Sequence, residues 1–380
     1  PKIHDISFAD KKSLHTLYPV SSHLFCLQAV KMAVKNCCAV LHGAGDLRIE
    51  ERPIPKPTNG EVQIAIRSVG ICGSDLALYR TGRVGMFPLQ EPIILGHEPC
   101  GVVTLVGPGV TDLVVGDRVV LHPHYSCGAC RVCQDGRYNL CREARMMATP
   151  PNNGVLANLV VWSARLCYKM PPELTWDEGA FVQPMALALY GCQRAGVKPG
   201  DHVLICGAGP LGTVMVVAAK ACGATRICVT DIAEERLVFL SKMCGCSTFL
   251  ADNGSPRDVA EAVTSLLGGV VDVTMECSGA PSAVATGIYA TKPGGVILLA
   301  GIGPAEVQIP LLAAATKEVD IKSMLRFTNT YPAAIELMAS GRIDVKPLVT
   351  HRFQLTESVE ALEAMKNRVQ GKIVIECSHD

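Results

Sequence analysis

The chain has 380 residues, 49% of them hydrophobic, and its 35 basic and 35 acidic side chains give a formal net charge of zero. This length favours two domains, and a zero net charge excludes a global field that would attract nucleic acid or an acidic membrane. No stretch of the sequence approaches the length of an uninterrupted transmembrane helix. We therefore expect small molecules or further copies of the chain as partners, with no nucleic acid and no membrane.

Eighteen cysteines are many for this length. Most stand singly in apolar runs, as Cys206 and Cys228 do, where a thiol behaves as a small hydrophobic side chain. A secreted disulfide scaffold would be shorter and denser in cysteine. The cysteine pattern therefore predicts a reduced, cytoplasmic protein.

Residues 1–35 are expected to form a leader that is disordered or non-native. Lys11-Lys12 and the mildly apolar run Leu24 to Leu27 imitate a targeting peptide only weakly, because histidine, proline and serine residues interrupt them. Met32 comes shortly before the first strand-like run, Cys37 to Leu41. We expect the functional chain to begin near Met32.

From Ala39 to about Val182 the sequence reads as short strands separated by turns. Val62 to Val69 alternates apolar and polar residues, which is the period of a half-buried strand. Val102 to Val106 and Arg118 to Leu121, with glycine turns between them, continue an antiparallel, barrel-like pattern. This half is predicted to be β-rich.

Near Gln183 the pattern changes to strand-like and helix-like runs that alternate. Such alternation is typical of a doubly wound parallel sheet with helices on both faces. The predicted strands are 202–206, 226–230, 247–250, 271–276 and 295–300. The predicted helices are a stretch that follows the glycines 207–212 and runs through Lys220, then 256–267 and 281–291. After residues 321–327 the elements are mixed, with strand-like runs at 345–350 and 372–376 and a helical run at 358–365.

A glycine loop, Gly207 to Gly212, follows one predicted strand and opens the next predicted helix. Its first glycine permits a tight turn, its second lets a pyrophosphate approach the backbone, and its third lets the helix pack on the strand. Asp231 lies 19 residues beyond Gly212 at the end of the next strand, where a carboxylate binds ribose hydroxyls and repels a 2′-phosphate. The loop is therefore predicted to bind NAD in preference to NADP. The alternative is that the loop is a plain glycine turn that binds no nucleotide. The predicted cofactor-binding residues are Gly207, Gly209, Pro210, Leu211, Gly212, Asp231 and Arg236.

Two groups of residues have the composition of zinc sites. Cys127, Cys130, Cys133 and Cys141 lie in one loop, and four thiolates satisfy a tetrahedral zinc that keeps no open position. Disulfides or idle thiols are the alternatives. Cys72, with His97 and Glu98 25 residues later, is too small a set to close a zinc shell and leaves room for water or an alcohol oxygen. The alternative for each residue taken singly is a structural role, with Cys72 as a core side chain and His97 as a turn residue.

These features together resemble the zinc-containing medium-chain dehydrogenases, and among them the sorbitol dehydrogenases. The resemblance covers about residues 36 to 377. It is carried by Cys72 to Asp75, Gly96 to Glu98, Gly101, Gly107, Gly116 to Val119, the four-cysteine loop, Gly207 to Gly212, and further stretches such as Ala148 to Pro151 and Val345 to Phe353.

The resemblance implies an α/β fold with a GroES-like, β-rich catalytic domain over residues 36–183 and 326–380 and a doubly wound Rossmann domain over 184–325. It also implies two zincs per chain, NAD, a small polyol as substrate and a homotetramer. Zinc would be held by Cys72, His97 and Glu98 with water, and Asp75 would orient the ligand histidine.

The resemblance also implies roles in catalysis. A secondary hydroxyl of the polyol would bind zinc and lose its proton, and the hydride on that carbon would pass to NAD. Ser74 would pass the proton towards solvent, Arg326 would bind further hydroxyls, and Tyr79 would form a wall of the pocket. An ion pair between the two domains is the alternative for Arg326.

Two departures from the family pattern bear on the activity. Gln183 stands where the family usually has a glutamate beside the metal, and an amide is a poor zinc ligand that cannot accept a proton. Ala77-Leu78 replaces a histidine and an aromatic residue, which lowers the polar capacity of the pocket. Two alternatives therefore stay open: a zinc- and NAD-binding homologue with weak or no turnover, and a dehydrogenase of a different secondary alcohol.

Overall fold

A computed structural model of the chain describes residues 36–367 and 369–377, so the predicted leader, residues 1–35, lies outside the described residues. The strands are β1 (Asn36–Gly43), β2 (Asp46–Arg52), β3 (Glu61–Gly70), β4 (Arg83–Val84), β5 (Phe87–Pro88), β6 (Ile93–Ile94), β7 (Glu98–Val106), β8 (Arg118–Leu121), β9 (His124–Tyr125), β10 (Arg145–Met146), β11 (Leu159–Ser163), β12 (Cys167–Lys169), β13 (His202–Cys206), β14 (Arg226–Asp231), β15 (Ser247–Leu250), β16 (Val271–Glu276), β17 (Thr291–Leu299), β18 (Asp320–Ser323), β19 (Val349–Gln354) and β20 (Lys372–Glu376).

The helices follow the same chain order. They are α1 (Gly73–Thr81), α2 (Arg131–Gln134), α3 (Trp176–Ala195), α4 (Pro210–Ala221), α5 (Glu234–Cys244), α6 (Pro256–Leu267), α7 (Pro281–Ala290), α8 (Leu311–Thr316), α9 (Tyr331–Ala339) and α10 (Ser358–Lys366). In the described part of the chain, no helix combines the length and the apolar character that crossing a bilayer requires.

A seven-stranded mixed sheet combines the two ends of the described chain. Its order is β12-β8-β7-β3-β20-β19, with β11 also paired to β3. All its pairs are antiparallel except β19 with β20. A three-stranded sheet, β2-β1-β6, shares its hydrophobic core, because Leu41 of β1, Ile64 of β3 and Ile375 of β20 belong to one buried cluster.

The strand predicted at residues 62–69 is more buried than its alternation indicated. Gln63 and Ser68 are buried together with the apolar side chains of β3. This is possible because the Gln63 amide is satisfied: it donates to the Pro55 carbonyl (2.6 Å) and accepts from the Thr104 hydroxyl (2.7 Å). The prediction of a half-buried strand was therefore wrong at Gln63, whereas Arg67 is only partly buried, as the alternation indicated.

The second large sheet has six parallel strands in the order β15-β14-β13-β16-β17-β18. From β13 the chain adds β14 and β15 on one side. It then returns to add β16, β17 and β18 on the other side of β13, so the direction of the strand order reverses between β13 and β16. In a doubly wound sheet the carboxyl ends of these two strands open a crevice that binds the ligand. The glycine loop follows β13 and therefore lies at this crevice.

A long helix, α3, joins the two sheets. It starts at a capping box in which the Thr175 hydroxyl accepts the Glu178 N–H (3.3 Å), and it ends at Gly196, whose φ is 78°. It packs against β3 and β7 of the first sheet, against β17 of the second sheet, and against the helix α4 that follows β13. The domain boundary predicted between residues 183 and 184 falls inside this helix.

Candidate active site

Asp75 ties together the two segments that carry Cys72 and His97. Its side chain is fully buried. One carboxylate oxygen accepts the Cys72 N–H (3.0 Å), and the other accepts the Gly96 N–H (3.1 Å) and lies 3.5 Å from His97 Nδ1. One side chain therefore fixes the turn into α1 and the turn into β7 at the same point.

The Asp75 carboxylate is held in its charged form. Burial by itself raises its pKa, but the charge of His97 and the hydrogen bonds from Cys72 and Gly96 outweigh burial and lower the pKa below the usual value. A charged acceptor beside His97 Nδ1 fixes the orientation of the ring and leaves Nε2 as the nitrogen available to a metal.

Cys72, His97 and Glu98 each place one ligand atom within 4.8 Å of the others. The sheet register contributes directly, because Gly70 pairs with Glu98 across β3 and β7, and Cys72 follows two residues beyond Gly70. A thiolate, an imidazole and a carboxylate are the donor types that zinc binds, and three protein ligands leave a fourth position open. The side chains present therefore fit a catalytic zinc.

Glu98 has a second partner that the sequence did not reveal. Its carboxylate forms an ion pair with Lys372, the first residue of β20, and both side chains are buried. A Cβ on Gly70 would collide with this carboxylate and come within 2.8 Å of Lys372 Cε. The Phe181 ring lies 6.0 Å from the ammonium. A lysine directly before the apolar run Ile373 to Ile375 was the sequence signal for this pair.

The four cysteines of the second group also lie together. Their sulfur atoms are separated by 3.4 Å (Cys130 and Cys133), 3.6 Å (Cys127 and Cys141) and 3.9 Å (Cys127 and Cys133, and Cys130 and Cys141). Four sulfurs at about 2.3 Å from a tetrahedral zinc would stand about 3.8 Å apart. All four are free thiols, so the loop fits a closed zinc site and not a pair of disulfides.

The loop of the four cysteines also holds the turn that carries Arg326. The Asn139 amide donates to the Leu325 carbonyl (2.7 Å), and the Asn329 N–H donates to the Tyr138 hydroxyl (2.8 Å). Arg326 and Asn329 both have positive φ, 52° and 56°. A backbone in this region is strained for residues other than glycine and persists only where its surroundings hold it.

Arg326 itself is half-buried, and burial lowers its pKa. No carboxylate of the described residues forms an ion pair with it. The alternative role in an ion pair between the domains therefore finds no support in the described part of the chain, and the guanidinium is available to a ligand.

The remaining predicted residues are placed as follows. Ser74 is half-buried in the first turn of α1. Gln183 is buried in α3, two residues beyond the Phe181 ring that faces Lys372. Tyr79 donates its hydroxyl to Glu363 of α10 (3.0 Å), so this group is engaged within the protein, and the role of the ring as a wall of the pocket stays a prediction.

The glycine loop has the shape that a dinucleotide requires. Gly207 has a φ of 107°, and a Cβ on Gly212 would collide with the Gly207 carbonyl oxygen. A Cβ on Gly209, by contrast, would meet nothing within 4 Å. Gly209 is the N-cap of α4 and Pro210 its first residue. A phosphate can therefore approach the backbone at Gly209 and the helix N-terminus.

Asp231 holds the glycine loop from the neighbouring strand. Its carboxylate accepts the Ala208 N–H (2.7 Å) and the Ala233 N–H (2.9 Å), and Arg236 lies 3.7 Å away. Each carboxylate oxygen has a further lone pair, so Asp231 can both fix the loop and accept a hydrogen bond from a ribose hydroxyl.

Comparisons with known proteins agree with this architecture. Residues 58–172 match the model of the alcohol dehydrogenase GroES-like domain, and residues 210–340 match that of the zinc-binding dehydrogenases. A sorbitol dehydrogenase of Gallus gallus is 44% identical over 343 residues, which cover 90% of this chain and 97% of that protein.

Two solved structures show the same fold. A short chain alcohol dehydrogenase of Escherichia coli CFT073, solved with NADH, is 26% identical and has a TM-score of 0.83 over 90% of this chain and 99% of its own. A protein described as a zinc-binding dehydrogenase of Sinorhizobium meliloti 1021, solved with NADP, is 28% identical with the same TM-score and the same coverage.

Replacing Lys372 with methionine tests the ion pair with Glu98. Without zinc, the variant leaves a buried carboxylate uncompensated, which should lower the free energy of unfolding by about 3–5 kcal/mol. Added zinc supplies the missing positive charge and should recover most of this loss. Denaturant unfolding with zinc and with a chelator measures both values. Lys366→Met, which breaks an exposed pair with Glu363, should cost under about 1 kcal/mol in either condition. An equal loss with and without zinc for Lys372→Met would contradict this account.

Alanine should mainly weaken NADH binding at Gly209 and mainly lower protein stability at Gly212. Gly209→Ala should lower the free energy of unfolding by less than about 1 kcal/mol, roughly the cost of alanine in place of glycine at an N-cap. It should weaken NADH binding at least about tenfold, because the methyl group occupies the space of the pyrophosphate. Gly212→Ala should lower stability by about 1–3 kcal/mol through overpacking. Denaturant unfolding and NADH fluorescence titration check both variants, and unchanged NADH affinity in Gly209→Ala would disprove the assigned role.

Proposed function

Because the chain belongs to the zinc-containing medium-chain dehydrogenases and is related to their sorbitol dehydrogenases, as its sequence predicted, we propose that it oxidises a secondary hydroxyl of a small polyol to a ketose and transfers the hydride to NAD. The observation that carries this proposal is the group formed by Cys72, His97 and Glu98 around the buried Asp75 carboxylate. It provides three ligands and one open position within a chain that also has a dinucleotide-binding loop.

The proposed roles follow from the contacts of each residue. Cys72, His97 and Glu98 would hold the catalytic zinc, and Cys127, Cys130, Cys133 and Cys141 a structural zinc. Bound zinc supplies a Lewis acid that lowers the pKa of the substrate hydroxyl, and bound NAD supplies the hydride acceptor. Asp75 keeps the His97 ring in place, and Ser74 Oγ receives the hydroxyl proton and passes it towards solvent. Arg326 donates hydrogen bonds to hydroxyls away from the reacting carbon.

Gln183 alters how the substrate proton leaves. Its neutral amide can donate and accept hydrogen bonds, but it cannot take up a proton as a carboxylate would. It also brings no negative charge to a site where Glu98 already shares its charge with Lys372. A zinc bound by Cys72, His97 and Glu98 would therefore face one negative charge fewer than with a second acid, and release of the substrate proton would depend on Ser74 and solvent.

Three further properties belong to this proposal. The β-rich catalytic domain would comprise residues 36–183 and 326–380 around a nucleotide-binding domain of 184–325, which the pairing of β20 with β3 supports. The free cysteines support a reduced, cytoplasmic environment. The family resemblance supports a homotetramer.

NADH formation with sorbitol, xylitol and 2-butanol tests the proposed activity. We expect turnover of both polyols with NAD and slower turnover with NADP, because Asp231 repels a 2′-phosphate. Cys72→Ala should lower polyol turnover at least about 100-fold, since removing a ligand removes the metal on which the chemistry depends. Cys167→Ala, which removes a thiol bonded to the Ser163 carbonyl, is the matched control and should keep the activity.

The proposal would be disproved if the protein held two zincs per chain and bound NADH tightly but oxidised none of the alcohols. That result would favour a zinc- and NAD-binding homologue without turnover. Gln183→Glu serves as the second control, because it restores a proton acceptor in place of the amide. A faster rate at neutral pH in this variant would show that the amide limits proton removal, and an unchanged rate would show that no acid is needed here.

A further inference from the structure

Two buried histidines near Arg326 have no role in the mechanism described above. His122 and His124 lie in the segment that leads from β8 into β9, and they are 2% and 1% exposed. The His124 N–H donates to His122 Nδ1 (3.2 Å). Among the described residues, however, His122 Nε2 and both ring nitrogens of His124 have no hydrogen-bond partner. Buried polar atoms without partners are rare in folded proteins and call for an explanation.

An aromatic wall surrounds these two rings. His122 stands 5.0 Å from the Phe327 ring and 4.8 Å from the Tyr331 ring, and His124 stacks at 6.2 Å on Tyr138. None of these contacts uses a ring nitrogen of His124. The same Tyr138 holds the Asn329 backbone, so His124 and the Arg326 turn share one support.

This wall includes Phe327, the residue that follows Arg326. The charge of Arg326 acts on His124. Burial first, and then the charges of Tyr168 and Glu98, raise the pKa of Tyr331, which places the Tyr331 ring within electrostatic reach of Glu98. The two histidines therefore share an aromatic wall with Phe327, which follows Arg326 in the chain, and with Tyr331, on which the charge of Glu98 acts.

The chemistry of His124 suits an uncharged, hydroxylated ligand. Burial, followed by the charge of Arg326, lowers the pKa of His124 to about 3, and burial lowers that of His122 to about 4. A neutral imidazole carries one donor and one acceptor nitrogen, and a hydroxyl group also both donates and accepts. Neither histidine belongs to a group of three or more possible metal ligands in the described part of the chain.

We propose that His124 is a specificity-determining residue, whose neutral imidazole binds, together with Arg326, the hydroxyls of a polyol away from its reacting carbon. The inference rests on the proposed oxidation of a polyol. It explains how the pocket keeps polar capacity although Ala77-Leu78 lacks the polar groups typical of the family. A ligand hydroxyl also gives the buried ring nitrogens the partners that the protein does not provide.

The test replaces His124 with phenylalanine, which keeps the ring on Tyr138 and removes both nitrogens. We expect kcat/KM for sorbitol to fall about 10- to 100-fold, the range of one or two lost hydrogen bonds, mainly through KM. The loss for 2-butanol, which has no second hydroxyl, should be at least about tenfold smaller. His124→Gln, which offers a donor and an acceptor, should recover part of the sorbitol activity.

The melting temperature distinguishes a substrate-binding role of His124 from a structural role. Because phenylalanine removes buried nitrogens that have no protein partner, the melting temperature of His124→Phe without substrate should equal or exceed that of the parent. His202→Phe is the matched control, since His202 begins β13 at the opposite end of the parallel strands from the crevice, and it should not alter the preference for sorbitol. An equal loss on both alcohols, or no loss on sorbitol, would overturn the inference.

A binding measurement keeps the inference testable if the proposed activity fails. With NADH present, sorbitol should raise the melting temperature of the parent and should raise that of His124→Phe much less. If no alcohol is oxidised but this difference appears, the proposed function fails and the role of His124 stands. If sorbitol stabilises neither protein, or both equally, the role of His124 is disproved.

Discussion

The buried carboxylate of Asp75 is the constraint on which the site depends. Cys72 and His97 are 25 residues apart, on a helix N-cap and in a turn before a strand, and neither segment could fix the other by itself. Asp75 bonds the backbone of both segments and faces the histidine ring. Because it has no exposed surface, it cannot exchange these partners for water, and a charged acceptor in such a place is costly unless all of them stay in position.

The two groups of metal ligands differ in what surrounds them. The four-cysteine loop is a closed set, and its neighbours Tyr138 and Asn139 hold the strained turn of Arg326. The open set of Cys72, His97 and Glu98 is balanced by the buried Lys372. In the proposed function the first site therefore contributes by positioning Arg326, the residue proposed to bind substrate, whereas the second is proposed to carry the chemistry. Loss of metal from either site should disturb polyol oxidation, but for different physical reasons.

The sequence predicted what short patterns encode. The α/β fold class, the glycine loop between a strand and a helix, and the four-cysteine loop come from local patterns, whereas the family resemblance implied Cys72, His97 and Glu98 as one set of zinc ligands. The structure brings each group of ligands together. The sequence missed α3, because a helix buried on nearly every face has no amphipathic period. It also missed Lys372, whose partner Glu98 lies far away in sequence, and it gave no role to His124, on which the charge of the distant Arg326 acts. Contacts between distant segments leave no periodic signal.

The account depends most on a zinc at Cys72, His97 and Glu98. Anomalous difference maps from NAD-loaded crystals, recorded on both sides of the zinc absorption edge, test this directly. The account predicts two peaks per chain, one among the four cysteine sulfurs and one within bonding distance of Cys72 Sγ and a ring nitrogen of His97. A single peak at the four cysteines, with none beside Cys72 and His97, would contradict it.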